Sequence, residues 1–169
     1  MSSHRDSGAV APAGEELFRR VCGRFATGVT VVATTSPEGL PRGLTVNSFS
    51  SVSLDPPMVL VCIDSRNQLL PRLLDGTPFA INVLSTGQAE LSRRFAGMVE
   101  DRFEGVAWSP GSQGAPILAD ALAWFECTLA RAIECGDHTV LIAAVRTLQL
   151  SSGEPLLFYD GGYRRVASA

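Results

Sequence analysis

The tripeptide Asp55-Pro56-Pro57 constrains this chain more than any other feature. Proline has no N–H to give a strand ladder and Asp-Pro favours a turn, so the flanking segments must be two separate strands. The whole stretch runs Gly43–Ile63. Before the break it mixes apolar residues with short polar ones, and after it Met58–Ile63 is the apolar run of a buried strand. Thr45, Asn47, Ser48, Ser50, Ser51 and Ser53 stand where a core strand would carry Val or Ile. Two readings follow. A strand edge that hydrogen-bonds a flat heterocycle needs short donors and acceptors on closely approaching backbone. Alternatively, the segment is a solvated strand face rich in Ser and Thr.

The other segments predict one domain over 15–169, preceded by a mobile tail at Met1–Gly14 that lacks the apolar centre of a signal peptide. Phe18, Val21, Cys22 and Phe25 make the apolar stripe of an amphipathic helix over Glu15–Ala26, with Gly28 as its stop. Val29–Thr35 reads as a buried strand that turns at Ser36–Gly39 and pairs back through Gly43–Ser48. A short helix is expected at Gln68–Leu74. Ser65 or Asn67 serves there as a cap alone, or, with Arg66 and the helix start, as an anion site. Further on come a strand at Phe79–Leu84, a helix at Thr86–Ala96, an extended Arg102–Trp108 and a loop at Ser109–Pro116. Two long strands, Leu122–Arg131 and His138–Leu150, pair about Gly136 and Asp137, and Pro155–Tyr159 is the last strand. About seven closely spaced strands without βαβ alternation predict a mainly β fold: a closed or nearly closed antiparallel barrel with a few peripheral helices.

Composition excludes several chemistries. The net charge of −3 offers no broad basic surface for nucleic acid, and no apolar run approaches a membrane span. All 14 basic residues are Arg, which rules out a Schiff-base lysine and a P-loop lysine. The two histidines, His4 and His138, cannot build a multi-histidine metal centre. Cys22, Cys62, Cys127 and Cys135 form no C-x-x-C pair and read as buried free thiols of a cytoplasmic protein. There is no G-x-S-x-G, no G-x-G-x-x-G after a strand, and no paired carboxylates. What remains is a polar strand edge, a candidate anion site and one isolated histidine. These suit a planar phosphorylated cofactor such as a flavin, whose ring carries the hydride itself.

Five segments in order, FRRVCGRFATGVTVVATT (Phe18–Thr35), GLTVNSFSSVSLDPPMVLVC (Gly43–Cys62), FAINVLSTGQAELSRRFAG (Phe79–Gly97), GDHTVLIAAV (Gly136–Val145) and PLLFYDGGY (Pro155–Tyr163), resemble the short-chain NAD(P)H:flavin oxidoreductase family. Its members are the reductase components of two-component flavin monooxygenases. The resemblance covers about Glu15–Tyr163 and implies an FMN-binding split β-barrel with Greek-key features, forming a homodimer. It implies that NADH or NADPH reduces FMN or FAD, and that reduced flavin passes to a separate monooxygenase.

Carried over by position, Thr45, Val46, Asn47, Ser48 and Ser50 should line the flavin ring and ribityl chain, with Val29 and Thr30 near the same pocket. Asp64 and Ser65 fall on the phosphate side, and Arg94 and Phe95 at a phosphate or adenylate contact. The family often has a Lys near Arg94, and this chain has none. Gly136, Asp137 and His138 match a Gly-Asp-His beside the nicotinamide, where His138 is the catalytic candidate against the reading of an inert core histidine. Tyr163 matches an aromatic that closes over the nicotinamide. A non-enzymatic flavin- or haem-binding store or sensor on the same barrel is the alternative. An oxidase of the pyridoxamine-phosphate or deazaflavin-dependent kind ranks lower, because it would want more basic phosphate contacts.

Overall fold

The computed structural model describes residues 12–99 and 101–166. Most of the expected N-terminal tail, residues 1–11, lies outside them. In chain order the elements are α1 (Glu15–Cys22), β1 (Thr27–Gly28), β2 (Thr30–Thr35), β3 (Pro41–Val46), β4 (Ser50–Leu54), β5 (Pro57–Asp64), α2 (Leu70–Leu74) and β6 (Phe79–Val83). A 3₁₀ turn at Thr86–Gln88 leads into α3 (Ala89–Ala96). Then follow β7 (Trp108–Pro110), β8 (Pro116–Leu118), β9 (Ala123–Cys135), β10 (His138–Leu150), β11 (Leu157–Tyr159) and β12 (Gly162–Arg164).

Seven strands form one antiparallel sheet in the order β3-β2-β6-β9-β10-β5-β4, curled into a split barrel, and β1-β11-β12 and β7-β8 are small satellites. The Asp55-Pro56 bond is cis and forms the corner between β4 and β5, as the proline break predicts. Asp160 and Gly161, both at positive φ, make the two-residue turn between β11 and β12.

The apolar run of β2 is explained by its two buried faces. Val32 points into the barrel with Val61, Ile63, Phe79 and Leu141, while Val31 and Ala33 face a second cluster with Leu84, Phe95 and Phe103. Gly43 on β3 is what lets α3 dock there. A Cβ at Gly43 would lie 2.9 Å from the Phe95 ring and 3.1 Å from the Val32 carbonyl.

Glu126 is the least expected core residue, 0% exposed on β9. One carboxylate oxygen accepts from the Gln113 and Ala115 N–H groups (2.8 and 3.2 Å), the other from the Ser112 and Thr147 hydroxyls (2.6 and 3.0 Å). Burial pulls its pKa upward, but these four hydrogen bonds outweigh that and hold it below the usual carboxylate range. The predicted loop at Ser109–Pro116 is therefore the tip of the β7–β8 hairpin, fastened to β9 by one side chain.

Several expectations need correction. α1 stops at Cys22, with Gly23 as its C-cap, and Gly28 belongs to β1. No α1 residue is buried: its stripe faces outward, with Phe18 62% exposed. The segment 102–107 is a series of turns because the Asp101 carboxylate accepts from the Phe103 N–H (2.9 Å) and folds the chain locally. Of the four free cysteines only Cys127 is buried, its thiol pushed up to about 12 by burial. Cys62 is half-buried, while Cys22 and Cys135 are exposed.

Candidate active site

β3 and β4 are two halves of one bent strand that runs antiparallel to β5. Pairing holds from Leu54 opposite Pro57 to Ser50 opposite Leu60, and then the main chain leaves the ladder. Ser48 supplies its side chain instead. Its Oγ accepts from the Cys62 N–H (2.9 Å) and donates to the Cys62 carbonyl (3.1 Å). From Asn47 back to Arg42 the two segments splay apart, and at the far end Gly43 and Asn67 meet only as walls of one cavity. This is the split in the barrel.

The Ser48 strut has a chemical consequence. Because a hydroxyl satisfies the β5 edge, the main-chain N–H and C=O groups of Asn47, Ser48 and Phe49 have no hydrogen-bond partner among the described residues. The exposed Asn47 amide has none either. A row of unpaired donors and acceptors on one lip fits the alternating polar edge of a heterocycle.

The opposite lip is built from the end of β5 and the β9–β10 turn. Asp64 is the cross-strand partner of His138, and the Ser65 N–H donates to the Asp137 carbonyl (2.9 Å). Gly136 takes φ 62° at the first position of this two-residue turn, a conformation that favours glycine. The half-exposed His138 imidazole shares a hydrogen bond between Nδ1 and the Asp137 carboxylate (2.8 Å), leaving Nε2 without a partner among the described residues. That bond keeps the Asp137 carboxyl below its usual range. Arg66 grips Asp64 with its Nε and Nη2 (3.1 and 2.8 Å) and its main-chain N–H (2.8 Å), holding that carboxyl well below the usual range too. The Asp64 side chain is thus committed to Arg66.

The expected residues therefore divide. Thr45, Val46, Asn47, Ser48 and Ser50 form one lip, and Asp64, Ser65, Gly136, Asp137 and His138 form the other. Several hydroxyls, however, are spent within the scaffold. Thr30, buried, donates to the Val46 carbonyl (3.0 Å), Thr45 donates to the Ser92 carbonyl (2.8 Å), and Ser65 lies 3.4 Å from the Thr139 hydroxyl. Asn67 rather than Ser65 caps the turn before α2, accepting from the Leu69 N–H (2.9 Å). Tyr163 donates to the buried Ser92 hydroxyl (2.7 Å) beneath the Arg93 guanidinium, so Ser92 laces β3, α3 and β12 together.

Val29 and Phe95 lie in the core, Phe95 at 0% exposure and edge-on to Phe103, so neither offers a surface to the cleft. Arg94 lines a different cavity with Gln88 and Glu90.

The cations at the far end of the split are Arg42, Arg66 and Arg102, around a cavity of about 510 Å³. Arg102 donates to the Gly43 carbonyl (2.8 Å) and the Gly97 carbonyl (2.7 Å), and burial lowers its pKa. Sequence reasoning missed Arg42 and Arg102. Arg102 sits in an aperiodic segment, and only the Asx-type turn at Asp101 hinted at order there. A larger cavity of about 790 Å³, beside Trp124 and Glu154, contains none of the expected residues.

The flavin reductase like domain family model matches residues 22–167. The chain is 44% identical to the FMN reductase (NADH) SmoA of Agrobacterium fabrum, covering 92% of this chain and 90% of that one. It is 42% identical to the stachydrine N-demethylase reductase subunit Stc3 of Rhizobium meliloti, over 86% of this chain and 64% of the relative. It spans about half (47%) of another Rhizobium meliloti relative, to which it is 46% identical. The solved NADH:FAD oxidoreductase SgcE6 of Streptomyces globisporus superposes with a TM-score of 0.90 at 41% identity, covering 96% of this chain and 99% of that one. With nearly its whole length matched and its split barrel shared, the chain belongs to the flavin reductase like family.

Proposed function

We propose that this chain moves hydride from NADH or NADPH to FMN or FAD and releases the reduced flavin to a separate flavin-dependent monooxygenase. The observation that carries the reading is the split itself. The unpaired main-chain groups of Asn47–Phe49 stand on one lip and His138 on the other. A bound flavin supplies the hydride chemistry.

The residues around it bind and orient. Asn47, Ser48 and Phe49 hold the polar edge of the ring through peptide groups, and Thr30, Thr45 and Ser48 fix the lip that presents them. His138, steadied by Asp137, offers Nε2 to the nicotinamide or to negative charge growing on the ring. Tyr163 bounds the same side through Ser92. With no dinucleotide-binding motif of its own, the chain brings both substrates to one cleft. A relative named as an N-demethylase reductase subunit supports the separate oxygenase.

The active form is a homodimer in the cytoplasm. Uncovered apolar side chains support the dimer: Leu54 is 95% exposed, and Phe18, Val21 and Phe25 of the α1 stripe and the residues after it are open. Among the described residues no helix is long and apolar enough to cross a membrane.

Aerobic consumption of NADH and NADPH by the purified protein, with and without FMN, FAD or riboflavin, tests the activity. Oxidation that depends on added flavin is expected. A folded protein that binds flavin yet oxidises neither nucleotide would overturn the reductase reading. Light scattering should give a mass near twice 17.9 kDa.

A further inference from the structure

We propose that Ser92 is a positioning residue: it sets the plane of the Tyr163 ring against the Asn47–Phe49 lip, and so where a nicotinamide can stack. The role rests on the reductase reading, whereas the contacts themselves do not.

A serine is out of place here. α3 buries Ser92 and Phe95, three positions apart on its core face, and Ser92 is 0% exposed. Alanine suits a buried helical position better, because serine competes with the helix for its own backbone. A buried hydroxyl needs a partner, and among the described residues Ser92 Oγ has one, the Tyr163 hydroxyl that donates to it (2.7 Å). Tyr163 does not require this bond, since its ring is half-exposed and water is free to serve its hydroxyl.

Attachment of the β11–β12 hairpin does not require it either. β11 pairs with β1, Leu156 is buried, and Phe158 and Tyr163 pack on the cluster that holds Leu156 and Phe95. What the bond adds is orientation. Phe158 and Tyr163 meet edge-to-face with centroids 5.7 Å apart, the Arg93 guanidinium lies 5.0 Å over the Tyr163 ring, and Ser92 fixes the hydroxyl end. Arg93 is itself held by Glu90.

The same residue braces the other side of the cleft. The Ser92 carbonyl accepts from the Thr45 hydroxyl (2.8 Å), two positions before Asn47. α3 is also seated on β3 without spare room at Gly43, beside the Phe95 ring. Ser92 therefore touches the flavin lip through its main chain and the nicotinamide side through its side chain. Hydride transfer needs the reacting atoms roughly 3–3.5 Å apart, and Ser92 ties together the two walls that set this spacing.

The division between carbonyl and hydroxyl gives the test. Ser92→Ala removes the hydroxyl and keeps the carbonyl that holds Thr45. Calorimetric titration with riboflavin, and with NAD+ or NADP+ in the presence of riboflavin, is paired with NADH and NADPH kinetics. S92A should weaken the nucleotide that wild type binds about three- to tenfold and lower kcat/KM at least as much, with riboflavin affinity unchanged. Tyr163→Phe should give the same shift, and the double variant no more than either, because each removes one and the same bond. Nucleotide affinity and kcat/KM that match wild type in S92A, whatever happens to its melting temperature, overturn the role. So do a riboflavin affinity that falls in step and a double variant whose losses add. Wild type that binds a nucleotide yet reduces no flavin sinks the reductase reading alone, and the affinities still decide the role of Ser92. Wild type that binds neither nucleotide overturns both.

Discussion

Glu126→Ala and Glu126→Gln give the sharpest test of how the fold is fastened. In wild type the enclosed carboxylate accepts four hydrogen bonds, two from main-chain N–H groups of the β7–β8 tip and two from hydroxyls. Alanine orphans the Gln113 and Ala115 donors at about 1–3 kcal/mol each, and the hydroxyls of Ser112 and Thr147 are left to each other at 3.5 Å. Water entering the vacated space recovers part of this, so E126A should cost about 3–4 kcal/mol. Glutamine keeps one oxygen for the two N–H groups, and its amide can donate to hydroxyls that rotate to accept. It forfeits only charge assistance, about 1–2 kcal/mol.

Urea unfolding at neutral pH, without flavin, should therefore rank wild type above E126Q above E126A. The pH dependence has a definite sign. A carboxyl held below its unfolded pKa stabilises the fold above that value and loses the contribution as pH falls through the folded one. The gap between wild type and E126Q should begin to close near an unfolded value of about 4.3 and vanish at still lower pH. Equal stability of all three proteins, or a gap that widens on acidification, would refute the role assigned to this carboxylate.

Other perturbations probe the cleft more directly. His138→Ala should lower turnover about 10–100-fold with the melting temperature unchanged, since a positioning group aids hydride transfer chiefly through orientation; unaltered steady-state kinetics would remove His138 from the site. Gly43→Ala should destabilise by about 1–3 kcal/mol through overpacking on the Phe95 ring, read by thermal unfolding. Tyr163→Phe should cost about 0.5–1.5 kcal/mol by releasing the Ser92 hydroxyl. A larger loss of nicotinamide affinity than of stability would show Tyr163 touching the substrate as well.

Much of the fold was legible because its signals are local. Asp55-Pro56-Pro57 could only be a strand break, Gly136-Asp137 only a tight turn, and the β-branched run of β2 only a strand buried on both faces. The site was half legible. Residue types at Thr45–Ser50, and the resemblance at Gly136–His138, pointed to two segments that the structure sets on either side of the split, but not to what each side chain does. Thr30, Thr45 and Ser48 look like ligand donors in sequence, yet their hydroxyls bond Val46, Ser92 and Cys62. Such partners are 16, 47 and 14 residues away, beyond any periodicity. Arg94 and Arg102 show the same limit. Both are arginines near α3, and only the path of the 97–107 segment decides which faces the split. Glu126 was invisible because three of its four partners, Ser112, Gln113 and Ala115, come from a loop with no periodicity of its own.

The Ser48 strut also bears on how such a cleft changes through mutation. Peptide groups are the same at every residue, so a ligand gripped by Asn47–Phe49 is indifferent to most exchanges of the side chains that carry them. Selection cannot readily tighten this grip by swapping one side chain for another. It must instead move the lip, which the hydroxyls of Thr30, Thr45 and Ser48 hold in place. Ser48→Ala would free the Cys62 edge and allow the lip to close onto β5 as ordinary ladder, sealing the split.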